Sequence, residues 1–295
     1  MKRQLTVSDA LFSCANYLFL IVLGAATLYP FMNLLALSFN DSLDSIKGGI
    51  YLWPRKWTLD NYAVMLSNEQ LLGSSIRSVI RTIAGTFLGM LATAFFAFAL
   101  SSKEFIFRRS FNTLLVVTLY VNGGLIPIYL VIKNLGLTNS YWVYILPLLV
   151  NGFHIIIMRS YFEQLPAGLI ESAKIDGASY FQTLFRIVLP ISLPVLATIA
   201  LFISVAHWNS WFDNYLYNSR DKNLSLLQYE LMKVLLDSAT QTSGQMRVDE
   251  NTSNLVTPQS LRATMTIIVT VPILFVYPFL QNYFIKGMTI GAMKE

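Results

Sequence analysis

The sequence predicts an all-α membrane protein with six transmembrane helices. Hydrophobic residues make up 55% of the 295-residue chain and charged residues 13%, about half of the ~25% charged share of a soluble domain. The apolar residues gather into six stretches, each close to the roughly 20 residues that cross a bilayer. These stretches are long and continuous, without the period-2 alternation of a membrane barrel. A lipid-buried backbone of that kind satisfies its polar groups only as a helix.

The spans are placed at about 15–37, 79–100, 111–132, 141–160, 188–210 and 262–284, in one transmembrane domain covering 1–295. Lys2 and Arg3 precede the first span, but Gln4, Ser8 and Asp9 interrupt any apolar leader before Cys14. The first span therefore reads as a retained helix. With a single cysteine, the chain cannot form an internal disulfide. The loop 38–78 carries I-Y-L-W-P-R-K-W-T-L-D-N-Y at 50–62, where Trp53, Trp57 and Tyr62 suit a membrane–water interface. In the second span Gly85, Gly89, Thr93 and Ala97 recur every four residues, a small-residue stripe that lets another helix approach closely. The third span holds Asn122 beside Gly123 and Gly124, and the fourth holds Asn151 beside Gly152, with His154 one turn on. Amides in apolar helices need partners, so they mark either a helix contact or a polar path.

The loop 161–187 is polar and helix-forming, reading E-S-A-K-I-D-G-A-S-Y-F-Q-T-L-F-R-I-V-L-P from 171 to 190. Pro166 suits the first turn of a short helix. Glu171 and Lys174 are spaced to pair on its exposed side. Gly177 sits where that helix stops and turns. Ser179 with Gln182 makes a capping box that opens a second helix running to Pro190. The fifth span ends in H-W-N-S-W-F-D-N at 207–214, and the loop 211–261 leads to the sixth.

Several function classes are excluded. The net charge of +5 is scattered without a basic run, so no nucleic acid is expected. His154 and His207 are the only histidines. There is no H-E-x-x-H, no G-x-S-x-G and no intramembrane aspartate pair, so no catalytic or metal residue is assigned. There is also no phosphate loop for ATP.

The 171–190 pattern resembles the EAA loop of permease subunits in bacterial ATP-binding-cassette importers, through Glu171, Ala173, Gly177, Ile187, Leu189 and Pro190, with Ser172 in place of the usual alanine. Pro54, Thr58, Leu59, Asn61 and Tyr62 match a second family stretch. Trp208, Asn209 and Trp211 match a third, found in saccharide permeases. The resemblance covers nearly the whole chain. It points to the carbohydrate-uptake branch, nearest to importers of complex oligo- and polysaccharides such as alginate.

What the resemblance implies is specific. The fold is that of a type I importer permease with a cytoplasmic coupling helix. Glu171, Ser172, Ala173, Asp176, Gly177 and Ala178 meet the ATPase. The chain needs no cofactor, and ATP and Mg belong to a separate ATPase subunit. The partners are a second, homologous permease in a heterodimer, two ATPase subunits and a soluble solute-binding receptor. The location is the bacterial inner membrane, with the 161–187 loop and both termini cytoplasmic. Asn122, Asn151, His154, Trp208, Asn209, Trp211 and Asp213 are the substrate-path candidates. Asp213 would oppose an anionic sugar, whereas Arg77, Arg81 and Arg262 near span ends would attract one. A structural or assembly subunit, or a permease for a non-sugar solute, are the alternatives.

Overall fold

The computed structural model describes residues 7–240 and 256–292. Among these the chain is helical, and strand pairing is limited to one bridge between Asn40 and Trp57. In chain order the helices longer than one turn are α1 (Val7–Ser38), α2 (Asp60–Ser67), α3 (Glu69–Ser101), α4 (Arg108–Tyr120) and α5 (Leu125–Asn134), with a single helical turn at Ser42–Ser45 between the first two. Two 3-10 turns, Tyr141–Tyr144 and Leu146–Leu148, lead into α6 (Gly152–Phe162). Then come α7 (Ala167–Ile175), α8 (Tyr180–Ile191), α9 (Leu193–Asn209), α10 (Phe212–Tyr217), α11 (Leu227–Thr240) and α12 (Pro258–Ala292).

The all-helical expectation holds, but the spans are less regular than the sequence predicts. Residues Leu11–Ser38 of α1, all of α3 and Pro258–Val276 of α12 are each long and apolar enough to cross a bilayer. Two further predicted spans are bent pairs. Tyr141–Leu148 meets Gly152–Phe162 at 47°, and Tyr180–Ile191 meets Leu193–Asn209 at 88°. The described residues thus hold three such spans, or five if each bent pair counts as one.

The predicted third span, 111–132, is not one helix. α4 stops at Tyr120 and α5 restarts at Leu125. Between them Asn122 Oδ1 accepts the Gly124 N–H at 3.0 Å, and Gly124 takes φ +82°. The amide offers the backbone an alternative partner, and glycine tolerates the resulting turn. The fifth breaks at Ser192 because Pro190 and Pro194 bring no N–H to the helical ladder. The Ser192 N–H keeps its helical bond to the Val188 carbonyl at 3.0 Å and also reaches that of Leu189 at 3.1 Å.

The chain divides into two compact units, Met1–Glu69 with Leu231–Thr270 and Gln70–Glu230 with Val271–Glu295. In the first, Cys14 lies exposed within α1, and most of the helix from Leu11 to Phe31 is exposed and apolar. Near its end Ala36 and Leu37 pack with Ile50 and Ala263. Two buried asparagines shape the chain that follows. Asn40 Oδ1 accepts the N–H groups of Arg55 and Lys56 at 2.7 and 2.8 Å. Asn61 Nδ2 donates to the carbonyls of Ser38 and Asn40 at 3.0 and 2.9 Å, and its oxygen accepts from Ser42 at 2.7 Å. Tyr62 is partly buried. Its ring packs on Phe39, its hydroxyl lies 2.8 Å from Ser38 Oγ, and burial pushes that hydroxyl above the usual phenol range.

In the second unit the small-residue stripe of α3 is buried as expected. A Cβ on Gly85 would sit 2.4 Å from the His207 ring, and one on Gly89 would meet Ile203 at 3.4 Å, so α9 packs directly on this face. Further along, Ala94 and Ala97 join Met158, Phe162, Leu184, Val188, Ile199 and Ile203 in the main core. In lipid such burial brings no hydrophobic gain, so close packing itself holds these helices together. α6 approaches α4 just as tightly, since a Cβ on Gly152 would lie 3.3 Å from the Leu115 carbonyl.

Candidate functional site

Two places in the second unit gather the predicted site residues. One is the bend after α7. Pro166 caps the helix rather than entering it, and the Leu169 N–H returns to the Pro166 carbonyl at 3.1 Å. At the other end the Ala178 N–H reaches the Ala173 carbonyl at 2.9 Å, and the Gly177 N–H reaches that of Lys174 at 3.0 Å. This is a Schellman closure, which needs a left-handed residue after the cap. Gly177 supplies it at φ +76°. The next helix opens at once. Ser179 Oγ accepts the Gln182 N–H at 3.3 Å and Gln182 Oε1 accepts the Ser179 N–H at 2.8 Å, the capping box read from the sequence.

This geometry brings Glu171, Ser172, Ala173, Asp176, Gly177 and Ala178 into one short turn-and-helix. Ala173 is buried, while Glu171, Ser172, Asp176 and Gly177 are exposed. Ile175 stands 86% exposed between polar neighbours. Ile175 is thus an apolar side chain displayed at the surface of the chain between Lys174 and Asp176.

The expected Glu171–Lys174 pair does not form. Lys174 Nζ instead reaches Glu104 Oε1 at 2.6 Å, and the Tyr180 hydroxyl donates to Glu104 Oε2 at 3.2 Å. Glu104 sits in the turn between α3 and α4, so it ties that turn to both sides of the bend. The hydrogen bond from Lys174 holds the Glu104 carboxyl below its usual range, and the same bond holds the Lys174 ammonium above its own. A second tie lies nearby. Glu163 pairs with Arg108 and with Arg159, and Arg159 also donates to Asn112. Sequence reading missed both ties. Arg159 and Glu163 are spaced i,i+4 and could have been read as a pair, but Glu104–Lys174, Glu163–Arg108 and Arg159–Asn112 join residues dozens of positions apart with no local pattern.

The other place is polar and buried. Arg81 is fully buried in α3. Its guanidinium pairs with Asp213, donates to the Ser210 carbonyl at 3.2 Å, and lies 4.9 Å from the centre of the Tyr144 ring. The side chains of Asp213 and Arg81 therefore neutralise each other, and neither faces solute as a free charge. Arg77 is engaged too, donating to the carbonyls of Ser225 and Lys222 at 2.8 and 3.2 Å. A lone arginine within an apolar stretch was the available sign of a buried partner.

The remaining path candidates have local duties in this structure. Asn122 is exposed in the break before α5. Asn151 caps α6, its oxygen accepting the N–H groups of Phe153 and His154 at 3.0 and 3.2 Å. The His154 ring stacks on Phe202 of α9 at 6.0 Å. Trp208 is buried, and Asn209 Oδ1 accepts from Gln228 at 3.3 Å. Trp211 meets Phe212 edge-on at 5.6 Å and lies near Tyr215. Asn209, Trp211 and Asp213 thus cluster at the α9–α10 junction, whereas no hydrogen bond joins them to Asn122 or Asn151 among the described residues.

The whole chain has relatives. Residues 72–213 match the model of the binding-protein-dependent transport system inner membrane component family. Protein LplC of Bacillus subtilis is 38% identical over 98% of this chain and 97% of its own length. The polygalacturonan/rhamnogalacturonan transport system permease protein YtcP of the same organism is 34% identical over 98% of this chain and 100% of its own. A crystal structure of a bacterial ABC transporter involved in the import of the acidic polysaccharide alginate contains a chain 27% identical to this one, with a TM-score of 0.87 over 95% of this chain and 98% of that one. On these matches, the chain belongs to the family of inner membrane components of binding-protein-dependent transport systems, as an ABC transporter permease.

Proposed function

We propose that this chain is one of two permease subunits in an importer that carries an oligo- or polysaccharide across the cytoplasmic membrane. The bend after α7 supports this reading most directly. Its backbone is fixed by a Schellman closure on one side and a capping box on the other, so force applied to α7 passes to α8 without loss in a floppy joint. Beyond α8 lies α9, whose last turn adjoins Arg81 and Asp213. Closure of an ATPase gripping Ile175 and its neighbours would thereby be felt at the polar end of the span.

In this reading two ATPase subunits supply ATP and Mg chemistry, and α7 docks on one of them. The companion is a homologous permease, because one chain carries one docking helix. With the 161–187 loop in the cytoplasm against the ATPase, six passes, α4 and α5 counting as one broken pass, would put both termini on the same side. A soluble receptor delivers solute to the opposite face, where Trp211, Asn209 and Tyr215 offer ring faces and an amide suited to a pyranose. Asn122, Asn151 and His154 remain path candidates on the same terms.

The test is ATP hydrolysis by the complex that co-purifies with this chain, with and without its receptor loaded with oligosaccharide. Stimulation by the loaded receptor supports import. A complex that binds receptor and ATPase but never responds to solute would make the chain an assembly subunit. An acidic saccharide is the narrower reading, carried by the likeness to the alginate importer. It predicts stronger stimulation by a uronate oligomer than by a neutral one of equal length.

A further inference from the structure

The segment after α1 turns back along the helix it has just left. Asn33 Nδ2 donates to the carbonyls of Ile50 and Tyr51 at 2.8 and 3.0 Å. Asn33 precedes the α1 terminus Ser38 by five residues, so at 1.5 Å per residue this stretch lies about 7.5 Å back from the end of the span. Ile50 faces inward onto Ala36 and Leu37. The residues beyond it face outward: Tyr51 is 63% exposed, Trp53 74% and Trp57 65%. Leu52 is exposed beside them.

These side chains form one surface. The Trp53 and Trp57 rings lie 6.4 Å apart, and Trp57 lies 5.8 Å from Phe39. The surface is held rigidly, since Asn40 pins Arg55 and Lys56 and the Thr58 N–H returns to the Phe39 carbonyl at 2.9 Å. Its charges balance. Lys47, Arg55 and Lys56 stand against Asp41, Asp44 and Asp60, and Lys47 and Arg55 both reach Asp44, at 3.6 and 3.5 Å.

The geometry points to the 50–57 loop as a lipid-docking wedge, seating Tyr51, Leu52, Trp53 and Trp57 in the headgroup–acyl boundary beside α1. Because α1 is apolar and exposed for most of its length, a rigid loop folded back along it stands at bilayer depth. Indole and phenol rings prefer that depth, apolar body inward and polar edge outward. Such a wedge fixes how deep this end of α1 sits. Balanced charge means that zwitterionic phospholipid suffices as the occupant.

The test uses the full chain with the partners it retains, reconstituted in phosphatidylcholine nanodiscs. Acyl chains brominated near the headgroup or near their midpoint quench indole by contact. The chain holds five tryptophans, so the relevant signal is the part lost in a W53F/W57F variant. That part should be quenched several-fold more by the shallow bromines than by the deep ones, and adding anionic phosphatidylglycerol should leave it unchanged. Quenching of that part by aqueous acrylamide but by neither lipid would overturn the wedge, as would shielding only when the receptor binds. If the double variant does not fold, W53F and W57F singly give the same difference one ring at a time, and shallow quenching supports the wedge or acrylamide quenching overturns it in the same way.

Discussion

Replacing Gly177 tests the bend after α7, and the structure sets the size of the effect. Gly177 holds φ +76°, and a Cβ there meets nothing within 4 Å. A substitution is therefore penalised by backbone strain alone. For an L-residue in the left-handed region that strain is about 1–2 kcal/mol, with asparagine the least affected after glycine. Valine, branched at Cβ, lies at the upper end. A loss of one to two kcal/mol is a factor of about 5–30 in an equilibrium. Binding of the ATPase to the purified permease should thus fall in the order Gly177, Gly177→Asn, Gly177→Ala, Gly177→Val, spanning roughly that range. Helix content and membrane insertion should stay constant across the series. Native binding by Gly177→Val would refute the reasoning. So would an asparagine variant as weak as valine, since the defect would then be contact with the partner rather than strain in the loop.

Three other outcomes are expected. Arg81→Met should destabilise the solubilised protein by about 3–5 kcal/mol, because it leaves Asp213 without its buried partner, and pairing it with Asp213→Leu should restore much of the loss; thermal unfolding of the three variants measures this. Asn151→Ala should cost about 0.5–2 kcal/mol through the lost cap of α6, while Asn151→Ser keeps the cap; uptake restored by serine would assign Asn151 to structure, and uptake still lost would assign its amide to the solute path. The Glu104–Lys174 tie has a pH window with two edges. A lowered carboxyl pKa makes it present above the ordinary value of 4.5 and lost as pH falls through the lower folded value; a raised lysine pKa makes it present below 10.5 and lost as pH rises through the higher one. Protection factors for the 102–107 turn, which remove the intrinsic pH dependence of exchange, should be flat across neutral pH and fall at the acid edge, and Glu104→Gln should lower them at neutral pH to the level the native chain reaches at that edge.

Local features were the legible ones. The Ser179–Gln182 capping box, the turn at Gly177 and the buried stripe of Gly85, Gly89, Thr93 and Ala97 each follow from residues within one or two helical turns, and each is present. Helix continuity was less legible. A hydropathy pattern cannot distinguish a straight span from a broken one: one break goes with the Asn122 side chain taking the Gly124 N–H, the other with two prolines that bring no N–H on either side of Ser192. Long-range polar pairs were invisible. Lys174 has a well-spaced neighbour in Glu171 yet chooses Glu104, because the α3–α4 turn lies within reach of the bend. Arg81 and Asp213, 132 residues apart, each looked like a free charge near a span end until packing brought them together.

ATP-driven accumulation of a saccharide inside proteoliposomes is the decisive measurement, made on the complex that co-purifies with this chain and with its receptor outside. The native chain should accumulate solute only when ATP is present, and Gly177→Val should abolish most of that uptake while the complex stays inserted. Equal uptake by the two, or hydrolysis without any accumulation by the native complex, would contradict a permease driven through the bend after α7.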